Sequence, residues 1–117
     1  MTIELVILLP ALFALLFLGM QAALFYHART VAIAAAQEGA RAAGGQHGNQ
    51  GDGNRAADAF IDDAGGDDVL AAATVTVTRS QTSATVVVVG HSLSVIPGWS
   101  PLVRQAATVP VERLTEP

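Results

Sequence analysis

The longest pattern along the chain is an apolar one. Residues 5–28 contain no Asp, Glu, Lys or Arg, and most positions from Leu5 to Phe25 are aliphatic or aromatic. As a helix rising about 1.5 Å per residue, this run reaches roughly 36 Å, enough to cross a hydrocarbon core of about 30 Å. Tyr26 and His27 fall where side chains would meet headgroups, and Arg29 closes the run. Residues 30–43 keep a helical pattern but become Ala-rich, with Gln37, Glu38 and Arg41 as the polar side. Gln37 and Glu38 lie four and three positions before Arg41, so the three share a face. Gly44-Gly45 supply a C-terminal stop. The pattern predicts one continuous helix of about 40 residues, roughly 60 Å long, with half of it in lipid.

Residues 44–68 are different material. The stretch from Gly44 to Asn54 has five glycines and no apolar side chain, and reads as a mobile loop that packs no core. Asn54 is placed to cap a short helix over residues 55–64, with Ala56, Ala59 and Phe60 facing inward, before Gly65-Gly66 stops it.

From residue 69 the period shortens to two. Thr74-Val75-Thr76-Val77-Thr78 puts two valines on one face and three threonines on the other. A polar turn over residues 79–83 leads to a second strand over 84–95, whose unbroken Val86-Val87-Val88-Val89 predicts cover on both faces. Pro97-Gly98-Trp99-Ser100-Pro101 is a proline-bounded turn. A third strand follows over 103–113, and Pro110 makes it an edge. Three strands bury too little to stand alone. Their available partner is the upper half of the long helix, residues 31–43. The chain thus divides into 1–43, a transmembrane and assembly helix; 44–68, a loop with a short helix; and 69–117, a small antiparallel sheet packed on the long helix. The fold class is α+β.

Composition narrows the function. With 117 residues, 51% hydrophobic and 5% aromatic, the chain has room for one small head beside the helix. It has no Cys, which excludes disulfides, thiol chemistry and thiolate zinc sites. A net charge of −4 argues against nucleic-acid binding. All six basic residues are Arg and twenty-two residues are Ala, a usage that points to a GC-rich bacterial genome. No basic residue precedes the span, while Arg29 and Arg41 follow it. Taken alone, that bias would put the head in the cytoplasm. The favoured expectation is instead that a basic leader belongs before Met1. A cleaved secretory signal fits poorly, because the apolar run is too long and continues into helix.

Glu4 stands at the edge of the apolar run. A charge in lipid costs at least ~2.5–3.5 kcal/mol on insertion scales unless it finds a partner. The α-amino group of a neighbouring chain is one such partner and would set the stagger between subunits. The plainer reading is a carboxylate solvated in the headgroup layer. Thr2-Ile3-Glu4-Leu5-Val6-Ile7-Leu8-Leu9-Pro10, then Ala28-Arg29, then Gln37-Glu38-Gly39-Ala40-Arg41-Ala42-Ala43, resemble the TadE-like pseudopilins of tight-adherence pili. The resemblance is close over residues 2–43, loose over 69–113, and absent from the Gly- and Asp-rich middle. Restoring one residue before Met1 would bring Glu4 into the family's register.

The resemblance implies a pilin-like subunit whose leader is cut by a prepilin peptidase. Its partners would be other pilin or pseudopilin copies, an assembly platform and ATPase, and membrane lipid before assembly. It makes Glu4 the assembly carboxylate and Pro10 the helix irregularity that lets the helix bend on leaving the bilayer. Pro10 also reads as a simple membrane-helix kink. Gln37, Glu38, Gly39 and Arg41 become candidate assembly residues, against the plainer reading of a solvated helix end. Gly39 is small enough for a sheet or a neighbouring helix to approach closely.

Other constellations carry less. Asp58, Asp62, Asp63, Asp67 and Asp68 form a weak cluster for calcium, but without EF-hand spacing they read as an acidic surface. His27, His47 and His91 are scattered, and His91-Ser92 has no general base at a recognisable spacing. The Gly-rich stretch lacks the Lys-Ser/Thr of a phosphate loop. Trp99 is either a plug under the sheet or an exposed subunit contact. No cofactor is implied and no catalytic set is found, so the expectation is a structural protein and not an enzyme. It would be stored in the cytoplasmic membrane and then assembled into an extracellular pilus. The alternative is a permanently anchored single-pass protein whose head binds a partner.

Overall fold

The computed structural model describes residues 2–111. Helix α1 spans Ile3–Gly44 and α2 spans Gln50–Ala64. A 3-10 turn follows at Gly66–Asp68, then strands β1 (Leu70–Arg79), β2 (Ser83–Ser92) and β3 (Leu102–Pro110). The strands form one antiparallel sheet in the order β1-β2-β3. The expected α+β class, a long apolar helix carrying a small three-stranded sheet, is what is found.

The upper half of α1 is the spine of the head. Ala28, Ala32, Ala35, Ala36, Ala40 and Ala43 are all fully buried. Their spacing of three and four keeps them on one side of the helix, where methyl-sized side chains let the sheet lie close. Val86 and Val88 of β2 and Val103 of β3 press onto this stripe, and Leu70 and Ile61 complete the core. Gly90 makes room for Leu70: a Cβ there would lie 2.7 Å from the Leu70 Cγ. Helix α2 packs against both α1 and β1.

The second helix differs from the expected one. It begins at Gln50, capped by Asn49, whose Oδ1 accepts the Asp52 N–H at 2.8 Å. Asn54, the expected cap, lies inside the helix and donates from Nδ2 to the Val75 carbonyl. Gly51 and Gly53 are therefore helical rather than part of a mobile loop. Gly53 is where α2 meets α1. A Cβ on it would lie 2.8 Å from the Ala43 Cβ and 2.9 Å from the Gly39 carbonyl oxygen. Reciprocally, a Cβ on Gly39 would lie 2.9 Å from the Gly53 carbonyl oxygen and 3.2 Å from Val86 Cγ1. The two backbones touch, and that packing overrides the roughly 1 kcal/mol that a helical glycine costs. This contact also fixes the inward face as Gly53, Ala57 and Ile61. Ala59, expected inside, is exposed, and Ala56 and Phe60 are half-buried.

In the sheet, Val75 and Val77 turn inward while Thr74, Thr76 and Thr78 stay exposed, as their alternation predicts. β2 ends at Ser92 rather than at residue 95. Only one face of its valine run is sealed: Val86 and Val88 are buried, Val87 and Val89 half-buried. No second layer lies over the outer face among the described residues. β3 begins at Leu102 and closes at Pro110 on the sheet edge; the expected continuation through residues 112 and 113 lies outside the described residues. Ala72 adopts φ 52° at a bulge between Ala71 and Thr74, which shifts the β1–β2 register.

The glycine crossing gives a direct prediction. Gly39→Ala would lower stability by about 1–2 kcal/mol, because overpacking against a carbonyl outweighs alanine's helix advantage. Thermal unfolding of the detergent-solubilised chain measures this, and an unchanged or higher Tm would contradict it.

Candidate functional site

Among the described residues, nothing buries the lower half of α1. Residues 2–20 are all exposed, including Leu8, Phe13, Leu15 and Phe17. Helix α1 is long and apolar enough to cross a membrane by length and composition, with a mean hydropathy of 2.5 over its most apolar window. Its exposed apolar surface is a site in itself, since water is the one environment it disfavours.

Gln21 marks where that surface ends. It is 2% exposed. Its Nε2 donates to the Leu93 carbonyl at 3.1 Å, and its Oε1 accepts the Val95 N–H at 3.0 Å. One amide side chain thus satisfies a donor and an acceptor of the loop joining β2 to β3. The head therefore reaches down α1 as far as Gln21, and Ala28 is buried under it. The apolar run read from the sequence, 5–28, thus includes positions from Gln21 upward on which the head packs. Residues 3–20 alone make a helix of about 27 Å, close to the hydrocarbon thickness. Gln21 was not singled out in the sequence, yet it is the one polar side chain between Glu4 and Tyr26.

The residues singled out beforehand fall in three places. Glu4 lies exposed in the first turn of α1, at the far end from the head. There an acidic side chain gains about 0.3–1 kcal/mol from the helix dipole. Pro10 sits within an unbroken helix, and its missing N–H leaves the Val6 carbonyl without its intrahelical donor. The segment over residues 37–41 is divided by the helix surface. Gln37 and Arg41 are exposed, and Arg41 Nη1 donates to Glu38 Oε1 at 3.0 Å. Gly39 and Ala40 face the opposite way, into the core. Glu4 and Glu38 are roughly 50 Å apart along the helix, so the structure does not bring them together within one chain.

The acidic residues do not converge. Asp58, Asp62 and Asp67 border a shallow depression with Ile61, Gly66 and Ala73, while Asp63 and Asp68 are exposed elsewhere. Among the described residues no group of three His, Asp or Glu side chains is placed to hold a metal ion. His27 and His47 are exposed and His91 is half-buried. Trp99 is not a plug under the sheet: it is 50% exposed and stands against α1 beside Leu18, Ala22 and Phe25.

Replacing Gln21 tests the boundary it sets. Gln21→Leu removes both part-buried hydrogen bonds to the Leu93 carbonyl and the Val95 N–H, each worth about 0.5–1.5 kcal/mol. Hydrogen exchange at the Val95 amide should accelerate at least tenfold. Unchanged exchange there would show that the loop is held by other means.

No curated protein and no solved structure matches the chain. The family comparison ends within the motif that Gly39 divides. Residues 1–41, which hold the uncovered helix, the Gln21 latch and the Gln37 to Arg41 segment, match the family model described as TadE-like protein.

Proposed function

We propose that this chain is a structural subunit, a pilin or minor pseudopilin, of a thin extracellular pilus of the tight-adherence type. The observation that carries the reading is the exposure of residues 3–20, an apolar helix joined without a break to the helix that organises the head. Such a surface needs lipid before assembly and other helices afterwards. Packing among neighbouring copies replaces lipid contacts, so the apolar surface never meets water. The TadE-like match over the same residues supports the pilus assignment.

In this reading Glu4 has the assembly role. It pairs with the α-amino group of an adjacent subunit and fixes the axial stagger. Pro10 loosens the helix near its membrane-inserted end, easing its departure from the bilayer. Gln37, Glu38 and Arg41, on the outer side of α1, are offered to neighbouring subunits. The leader is cut by a prepilin peptidase, and extraction is driven by a separate platform and ATPase. The chain itself acts as a building unit and not as an enzyme.

The test compares sheared cell-surface material with the membrane fraction by intact mass and N-terminal sequencing. A processed chain starting at or one residue before Met1, recovered from sheared filaments, is expected. Glu4→Ala should leave the chain in the membrane and lower its amount in sheared material at least tenfold. Recovery of an unprocessed chain from membranes alone would overturn the filament reading and leave a permanently anchored binding protein.

A further inference from the structure

The loop between β2 and β3 has a composition that the head's packing does not explain. Residues 93–101 read Leu-Ser-Val-Ile-Pro-Gly-Trp-Ser-Pro, and no Asp, Glu, Lys or Arg occurs between Arg79 and Arg104. An exposed loop on a small acidic protein would ordinarily carry charge. This one exposes Trp99 at 50%, Leu93 at 36% and, just beyond it, Leu102 at 57%. Gln21 holds the loop by both its Leu93 carbonyl and its Val95 N–H. Ser94 Oγ donates to the Ile96 carbonyl and accepts its N–H, so both backbone groups of Ile96 are satisfied within the turn. Between the loop and the helix lies a groove of about 300 Å³ walled by Leu18, Ala22, Phe25, Trp99 and Pro101, with Gln21 at its base.

We infer that this loop is a membrane-interface anchor, with Trp99 in the headgroup boundary and the groove beside it filled by a lipid acyl chain. Position along α1 selects lipid as the occupant. The groove is continuous with the uncovered face of residues 3–20: Leu18 belongs to both. Those residues make about 27 Å of helix, so when they fill a hydrocarbon core of about 30 Å, Gln21 and the loop arrive at its edge. An indole there buries its ring among acyl chains and keeps its N–H near headgroups and water, the arrangement that enriches Trp at membrane interfaces. Tyr26, about 7.5 Å higher on α1 and 66% exposed, stands in the headgroup layer. The loop then fixes how deep the subunit sits and keeps the head upright on the bilayer. This inference rests on the membrane-inserted form of the chain and not on its assembly into filaments.

Trp99 is the sole tryptophan, so its fluorescence reports on the loop alone. The full chain is reconstituted in phosphatidylethanolamine/phosphatidylglycerol vesicles, and its flotation with them is checked. Emission is then quenched with lipids brominated at shallow or deep acyl positions and, separately, with aqueous iodide. The expected result is strongest quenching by shallow bromines, with iodide quenching at least threefold weaker than for a water-exposed indole. Iodide quenching equal to that of a free indole, with no response to bromolipid, would overturn the inference. So would shielding from both quenchers that grows with the protein-to-lipid ratio, because a second copy would then fill the groove. A chain that fails to float overturns the membrane-inserted form itself, whereas a floating chain with iodide-accessible Trp99 overturns only the anchor.

Discussion

An apolar helix surface must be covered, and this chain covers only the upper half of its own. From Gln21 upward, α1 is sheathed on one side by the loop, the sheet and α2. Below Gln21 it is bare on every side. The bare half, as a single helix, satisfies its backbone internally apart from its ends and the Val6 carbonyl opposite Pro10, so it tolerates lipid or other helices equally well. The sheathed half needs no external partner. The two halves are one continuous helix, Ile3–Gly44, with Pro10 inside the lower half.

The head is built so that so little chain suffices. Among the described residues its core holds no fully buried aromatic residue; it is made of alanines, most of them on α1, with four valines, one leucine and one isoleucine. Small side chains bury little area each, so stability comes from close approach instead, and close approach is what Gly39 and Gly53 allow. The same design accounts for the divided character of residues 37–41. The inward Gly39 is fixed by packing within the chain, while Gln37, Glu38 and Arg41 are left on the surface. The Glu38–Arg41 ion pair is worth only about 0.2–0.5 kcal/mol, too little to explain the segment by helix stability alone.

Periodicity made much of this architecture legible in the sequence. The unbroken apolar run gave α1 nearly to the residue, and the Thr-Val alternation gave the orientation of β1. What stayed hidden depended on partners far away in the chain. Gly51 and Gly53 read as loop because nothing local says that α1 will lie against Gly53. Gln21 went unmarked in the sequence because its partners are 72 and 74 residues distant. The valine run of β2 suggested two covered faces, but among the described residues three strands and two helices leave no layer for the second. Glu4 and Pro10 were legible as unusual residues, yet their surroundings in an assembly lie outside any single chain.

In the proposed membrane-inserted form, α1 leaves the hydrocarbon at Gln21 and not at Arg29. Because the chain has no cysteine, single cysteines can be placed along residues 5–29 and probed in intact membranes with a membrane-impermeant thiol reagent. Protection from residue 5 to Met20, with labelling resuming at the outward positions Tyr26, His27 and Arg29, is the expected profile. Protection that extends without a step to residue 28 would place the head's lower loop inside the hydrocarbon and contradict the account.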